Sequence, residues 1–346
     1  MTKAVTTARP QRKARALPWT RQRPGAFGNL FYALALVLLL GSGGAGAGTP
    51  FEVNALEYPW SAIGRLNMAG RGHCSGTLVS ERHVLTAAHC LYDAKRKRRY
   101  QLDELHFVAG YQRGEFPFHA RVKAAAQADN FGDDSRVVYD SDWALLELSE
   151  PLGRQTGWLG ILPLSPQTLE RVRQSGAAVV LAGYRSDRSQ VLTIDKGCAI
   201  RGFVETSRMF VHYCEPVHGD SGGPVLAFLN GEARVIGVTT ISLSGPGEHY
   251  GGAIATSILT EGRDWPKATA AIKAEGFVPA FSGHPPPPGS AAAATPAATV
   301  ARLLNLSAPE SERGLATAIA VVERTRGLPV TGAPSVGVLG TLLESR

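Results

Sequence analysis

The 346 residues, 44% of them hydrophobic and 19% charged, are enough for one domain of two to three hundred residues with extensions, and they exclude a disordered or fibrous chain. The net charge of +7 belongs to the N-terminus: residues 1–47 carry Lys3, Arg9, Arg12, Lys13, Arg15, Arg21 and Arg23 and no acid, and 36 basic side chains less these seven leaves 29 against 29 acidic ones. A chain that is formally neutral beyond residue 47 offers no broad footprint for a phosphate backbone, so nucleic acid is not expected as a partner.

Residues 1–47 read as an export leader, with a basic stretch to Arg23, an apolar run from Leu30 to Leu40 and small residues ending in Ala45-Gly46-Ala47. The run is too short to span a bilayer comfortably, so cleavage after Ala47 and a secreted or periplasmic product are expected. Tethering by an uncleaved leader is the alternative. Beyond it, Gly72–Val79 and His83–Thr86 read as two short β segments around a polar turn, with His89 at their end. Lys95-Arg96-Lys97-Arg98-Arg99 reads as a solvated loop, as a patch attracting acidic substrates or anionic polymer, or as a site of self-cleavage if basic residues are preferred. Leu105–Gly110 and His119–Ala126 are again β-like. Of Asp133, Asp134, Asp140 and Asp142, only the last leads into an apolar run, Trp143-Ala144-Leu145-Leu146, that would bury it and strengthen a hydrogen bond to a histidine. Without an Asp-x-Asp-x-Asp-Gly pattern or a close Cys-x-x-Cys pair, no metal is expected, and nothing calls for a cofactor.

Strand-like runs continue at Val179–Tyr184, Val191–Ile194, Arg201–Val204, Val235–Thr240 and Gly251–Ile254. Among them lies His218-Gly219-Asp220-Ser221-Gly222-Gly223-Pro224-Val225. Its glycines suit a tight turn that brings a substrate carbonyl to bare backbone N–H groups, those of Gly219 and Ser221. A serine hydroxyl is a weak nucleophile until a base takes its proton, and the base needs a carboxylate to orient it. His89, in Leu85-Thr86-Ala87-Ala88-His89-Cys90, and Asp142 supply the two roles.

Taken together, and in the chain order His, Asp, Ser, these blocks resemble the chymotrypsin/trypsin family of serine peptidases, here in a bacterial, exported form. The resemblance implies an all-β domain of two antiparallel six-stranded barrels over residues 49–277, with Tyr58–Leu66 as an early strand and Gln155–Pro166 joining the barrels. It implies disulfides Cys74–Cys90 and Cys198–Cys214, and a protein or peptide substrate paired with Thr239 to Ser242, where Thr240 and Ser242 line the specificity pocket. Glu215 stands six residues before Ser221 and reads either as a substrate contact or as a solvated side chain; His218 reads as a pocket rim or as surface. The Ile-Val-Gly-Gly start of animal zymogens is absent, so Asp220 needs another partner, a backbone donor or a side chain near the new N-terminus. The other histidines, His73 and His212 among them, read as structural or surface groups.

Pro279–Ala298 is rich in Pro and Ala, which defines an extended linker at 278–298. Thr299–Arg346 returns to helical periodicity, and Ala318–Glu323 with Gly327–Gly332 resembles a small helical peptidoglycan-binding module. The expected activity is hydrolysis of peptide bonds through an acyl-enzyme. The alternatives are a non-catalytic binding protein of the same fold or a factor attached to the cell wall.

Overall fold

The computed structural model describes residues 50–70, 72–128, 131, 139–204, 208–245, 248–261, 280–306 and 312–344. The expected leader therefore lies outside the described residues, as do Asp133 and Asp134. The compact unit Ala47–Arg346 opens with β1 (Phe51–Glu52). There follow β2 (Ile63–Met68), β3 (His73–Leu78) and β4 (His83–Thr86), then the small hairpin β5 (Tyr92–Asp93) and β6 (Arg98–Arg99). Next come β7 (Leu105–Ala109), β8 (Phe118–Gln127) and β9 (Ala144–Leu148). Strands 2, 3, 4, 9, 8 and 7 close into an antiparallel barrel in that order. In β8 the period-two pattern is plain: Phe118, Ala120 and Val122 face the core while His119, Arg121 and Lys123 face solvent.

The second half begins with the helical turn α1 (Gly153–Thr156), β10 (Gly160–Ile161) and α2 (Pro166–Gln174). The Ser165 hydroxyl caps α2 by accepting from the Thr168 N–H at 3.2 Å, and Pro166 opens its first turn. β11 (Val179–Gly183), β12 (Thr193–Lys196), β13 (Ile200–Phe203), β14 (Met209–His212), β15 (Pro224–Leu229), β16 (Glu232–Gly245) and β17 (Glu248–Ala255) complete the β structure before α3 (Ile258–Glu261). With β1 and β10 they form a nine-stranded sheet whose path runs from β1 through β12, β11, β15, β16, β17 and β14 to β13. Two closed barrels were the expectation; among the described residues the second set has an open path. Its cause is local: β12 takes β1 as its outer neighbour, while among the described residues β13 pairs with β14 alone, so the two edges do not meet there.

The Pro/Ala-rich segment is extended, and it lies along the β structure. His284 exchanges backbone hydrogen bonds with Trp158, and the Tyr58 N–H donates to the Ala293 carbonyl at 2.8 Å. Three helices follow, α4 (Ala297–Leu303), α5 (Glu312–Thr325) and α6 (Val336–Leu343), with α6 resting on β15 and β16. Val300, Ile319, Val338, Leu339 and Leu343 are continuous with the main hydrophobic core. Among the described residues no helix is long and apolar enough to cross a membrane.

Candidate active site

Ser221 lies in the loop between β14 and β15, and the flanking glycines hold that loop in a shape other residues could not. Gly219 and Gly222 have φ of +93° and +78°. A Cβ on Gly222 would run into Thr86 Oγ1 and the Ser75 carbonyl; one on Gly219 would strike the Tyr184 carbonyl and come within 2.8 Å of His73 Nε2. Strand β3 grips the loop from below. The Ser75 N–H donates to the Ser221 carbonyl at 2.8 Å, and the Ser75 hydroxyl donates to the Gly219 carbonyl at 2.8 Å while accepting from the Tyr184 N–H at 2.9 Å. The Ser186 N–H holds the His218 carbonyl at 2.7 Å, and because the peptide is planar and trans the Gly219 N–H points the opposite way. Among the described residues neither the Gly219 nor the Ser221 N–H finds an acceptor, which leaves two donors for an oxyanion.

His89 is carried on a short 3₁₀ turn, Ala88–Leu91, directly after β4. Asp142 engages it twice: Oδ2 lies 2.8 Å from His89 Nδ1, and Oδ1 accepts the His89 backbone N–H at 2.9 Å. A carboxylate oxygen accepts, which assigns the proton to Nδ1 and leaves the lone pair on Nε2. Asp142 is 4% exposed and Trp143 beside it is fully buried, so the carboxylate is sheltered, as the apolar run after it led one to expect, while the His89 side chain reaches the surface. His89, Asp142 and Ser221 line one cleft of about 700 Å³.

Of the expected pocket residues, His218, Thr240 and Ser242 line this cleft. Glu215 does not. It is exposed, its N–H donates to Asp195 Oδ2 at 3.3 Å and its carbonyl accepts from Arg185 at 3.4 Å. Asp140 accepts the Arg208 N–H at 2.8 Å and so holds a neighbouring segment. Cys74 is bonded to Cys90 and Cys198 to Cys214, which fixes the turn bearing His89 to β3 and brackets the approach to the serine loop.

Asp220 is 1% exposed and finds the expected partner in the backbone: its carboxyl accepts the Val217 N–H at 3.0 Å. Burial pushes its pKa up to about 7, helped by Asp187 and Asp195 and opposed by that hydrogen bond and the Arg185 guanidinium. His73 has the structural role read from the sequence, and Phe131 escaped that reading. His73 Nε2 lies 2.6 Å from the Tyr184 carbonyl and packs beneath Gly219, and Phe131 forms part of the cleft wall. The position of His73 next to Cys74, which is tied to the turn of His89, was the one signal pointing to it.

The profile of the family named Trypsin matches residues 50–261, more than half of the chain. The chain belongs to the trypsin family. The trypsin of Phaedon cochleariae is 28% identical over 233 residues, which covers 62% of this chain and 84% of that protein. Serine protease 23 of Mus musculus is 29% identical over 198 residues, 49% of this chain and 46% of the relative; the chain thus spans about half the length of that group of relatives. Among solved structures, a Glu endopeptidase in complex with MPD has a TM-score of 0.52 at 20% identity and covers 64% of this chain and 98% of its own. That last likeness concerns the fold alone.

Proposed function

We propose that this trypsin-family chain is an exported serine endopeptidase. Ser221 Oγ attacks the scissile carbonyl, His89 Nε2 accepts the proton and returns it to the leaving amine, and Asp142 fixes the imidazole tautomer and steadies its charged form. The observation that carries this reading is the double engagement of His89 by Asp142 at the cleft that Ser221 lines. The N–H groups of Gly219 and Ser221 hold the oxyanion, each donor contributing a factor of roughly 10²–10³ in such sites. Substrate backbone adds to β16 at Thr239–Ser242, with His218, Thr240 and Ser242 reading the side chain, and the nine-stranded sheet serves as the second barrel of the pair. The intact set of three reacting side chains favours turnover over a binding protein of the same fold. Ser221→Ala is expected to abolish covalent labelling by a fluorophosphonate; labelling that persists overturns the assignment.

Export rests on residues 1–47, and an N-terminal sequence beginning at Gly48 would support it. A wall-binding role for Thr299–Arg346 rests on the resemblance of Ala318–Gly332. Within that stretch Glu323 accepts from the Thr331 and Gly332 N–H groups, both at 2.8 Å, and so shapes the loop. Failure of the full chain to pellet with purified peptidoglycan removes that role.

A further inference from the structure

The dense charge run Lys95-Arg96-Lys97-Arg98-Arg99 has no part in the chemistry above, yet the fold sets it close to His89. The turn carrying His89 runs directly into β5, and β6 returns beside it, pairing Tyr92 with Arg99 and Asp93 with Arg98. The buried Asp93 carboxylate fixes the tip, its Oδ1 accepting the N–H groups of Lys95 and Arg96, both at 3.1 Å. Two of the five cations are matched: Arg98 holds Glu104 in a two-pronged pair at 2.7 and 2.8 Å, and Arg96 lies 4.0 Å from Asp93. Lys95, Lys97 and Arg99 are exposed, with no ion-pair partner among the described residues. Because the chain is formally neutral beyond residue 47, this is a local field and not part of a generally basic surface.

Position decides which part of a substrate meets it. The acyl half lies against Thr239–Ser242 and the serine loop, on the wall contributed by the nine-stranded sheet. His89 passes its proton to the leaving half, and the hairpin follows the His89 turn directly, a turn that the Cys74–Cys90 bond ties to β3 of the closed barrel and the Tyr100 N–H closes by donating to the Leu91 carbonyl at 2.9 Å. Six residues separate His89 from Lys95, a reach of at most ~20 Å, or about six residues of extended peptide.

We propose that the β5–β6 hairpin docks an acidic segment of a protein substrate on the C-terminal side of the cleaved bond. The inference rests on the serine-peptidase reading and adds a substrate class to it. The hairpin is pre-shaped by Asp93, so little order is lost on binding, and its three unmatched cations steer and hold carboxylates at the rim of the cleft. Each exposed pair contributes roughly twofold, so three together give about tenfold at low salt.

The test takes a library peptide that the full chain cleaves and makes two versions, with Asp/Glu or with Ser/Gly at the third to sixth residues after the cleaved bond. The acidic version is expected to show a kcat/KM about tenfold higher at low salt, with the ratio closing toward one near ~1 M salt. The combined change Lys95→Ser, Lys97→Ser, Arg99→Ser should bring the ratio near one at low salt, and Glu at the same three positions should invert it. All three sites are at the surface, and fluorophosphonate labelling of each variant reports on Ser221 independently. Equal rates on the two peptides, or an acidic preference that survives both salt and the triple change, overturns the inference. So does retention on an anionic polysaccharide without the peptide preference. A wild-type chain that neither labels nor cleaves overturns the serine-peptidase reading, and this inference with it.

Discussion

Replacing Asp220 by Asn tests the electrostatics beneath the serine loop. The carboxyl is almost wholly buried, and burial lifts its pKa from 3.8 to about 7 against the pull of the Val217 N–H and Arg185. A group that holds its proton more tightly when folded contributes stability that is fully present below the unfolded value, ~3.9 for Asp, and is lost as the pH rises through about 7. A displacement of that size corresponds to on the order of 4 kcal/mol. Asn keeps an oxygen for the Val217 N–H and cannot ionise, so the variant should lack this loss. Denaturant unfolding of the two proteins from pH 4 to pH 8.5 gives a difference curve in which Asp195, raised to about 6 chiefly by burial, largely cancels because both proteins carry it. The difference should move in favour of the variant by a few kcal/mol across the range. Any fixed cost of the new amide shifts the whole curve without tilting it, so a difference that does not change with pH refutes the argument.

Three further outcomes follow from the same geometry. Asp142→Asn should leave the fold intact and lower peptidase turnover by ~10⁴, because the imidazole loses the partner that sets its tautomer; a loss below tenfold in a steady-state assay would contradict the role given to Asp142. His212 is fully buried, neither ring nitrogen has a partner among the described residues, and burial pushes its pKa down to about 4, so its stability contribution is present above ~6.5 and lost as the pH falls. His212→Leu should melt at least as high as the wild type at pH 7.5 and distinctly higher at pH 4.5, and a variant melting lower at both speaks against an unsatisfied ring. Removing the Cys74–Cys90 bridge, which joins residues 16 apart, by the double change to Ser should cost on the order of 3 kcal/mol in thermal unfolding, and an unchanged melting temperature would show that the bridge does not constrain the unfolded chain.

The candidate site was legible in the sequence because its chemistry admits few substitutes. A serine turn needs glycine at Gly219 and Gly222, whose φ values and crowded surroundings exclude a side chain. Asp142 could be chosen over its neighbours because burial must follow it, and Trp143 to Leu146 are buried. Glu215 was not legible, since counting back from Ser221 assumes a fixed loop path. Here Cys214 is held by Cys198, and the next residue emerges at the surface with its N–H on Asp195. His73 was readable as a structural group but its partner was not: its ring meets a carbonyl 111 residues further along the chain, a contact that no local pattern encodes. The outer edge of the second sheet was also not legible, because it depends on which strand pairs with β12, and two residues of β1 suffice to do so.

The stretch from Ala280 to Ala298 shows what composition measures and what it omits. Pro, Ala and Gly supply too little side-chain surface to build a core, and the segment is accordingly extended. Small side chains nevertheless let two backbones approach closely, and the approach here is tight on both sides: a Cβ on Gly157 would meet the His284 carbonyl, and one on Gly160 would lie 2.5 Å from the Phe281 carbonyl. The energy of docking comes from main-chain hydrogen bonds, from the His284 ring stacked 4.3 Å from Trp158, and from Glu57. The buried Glu57 carboxylate accepts from the Ala298 and Thr299 N–H groups and the Thr299 hydroxyl, so it caps α4 while anchoring the chain at that point. Proline suits such a path because it needs no donor for its own nitrogen and arrives already extended. A run that cannot fold on its own can thus be ordered by a surface that satisfies its backbone, and that surface is written elsewhere, in Glu57, Gly157, Trp158 and Gly160.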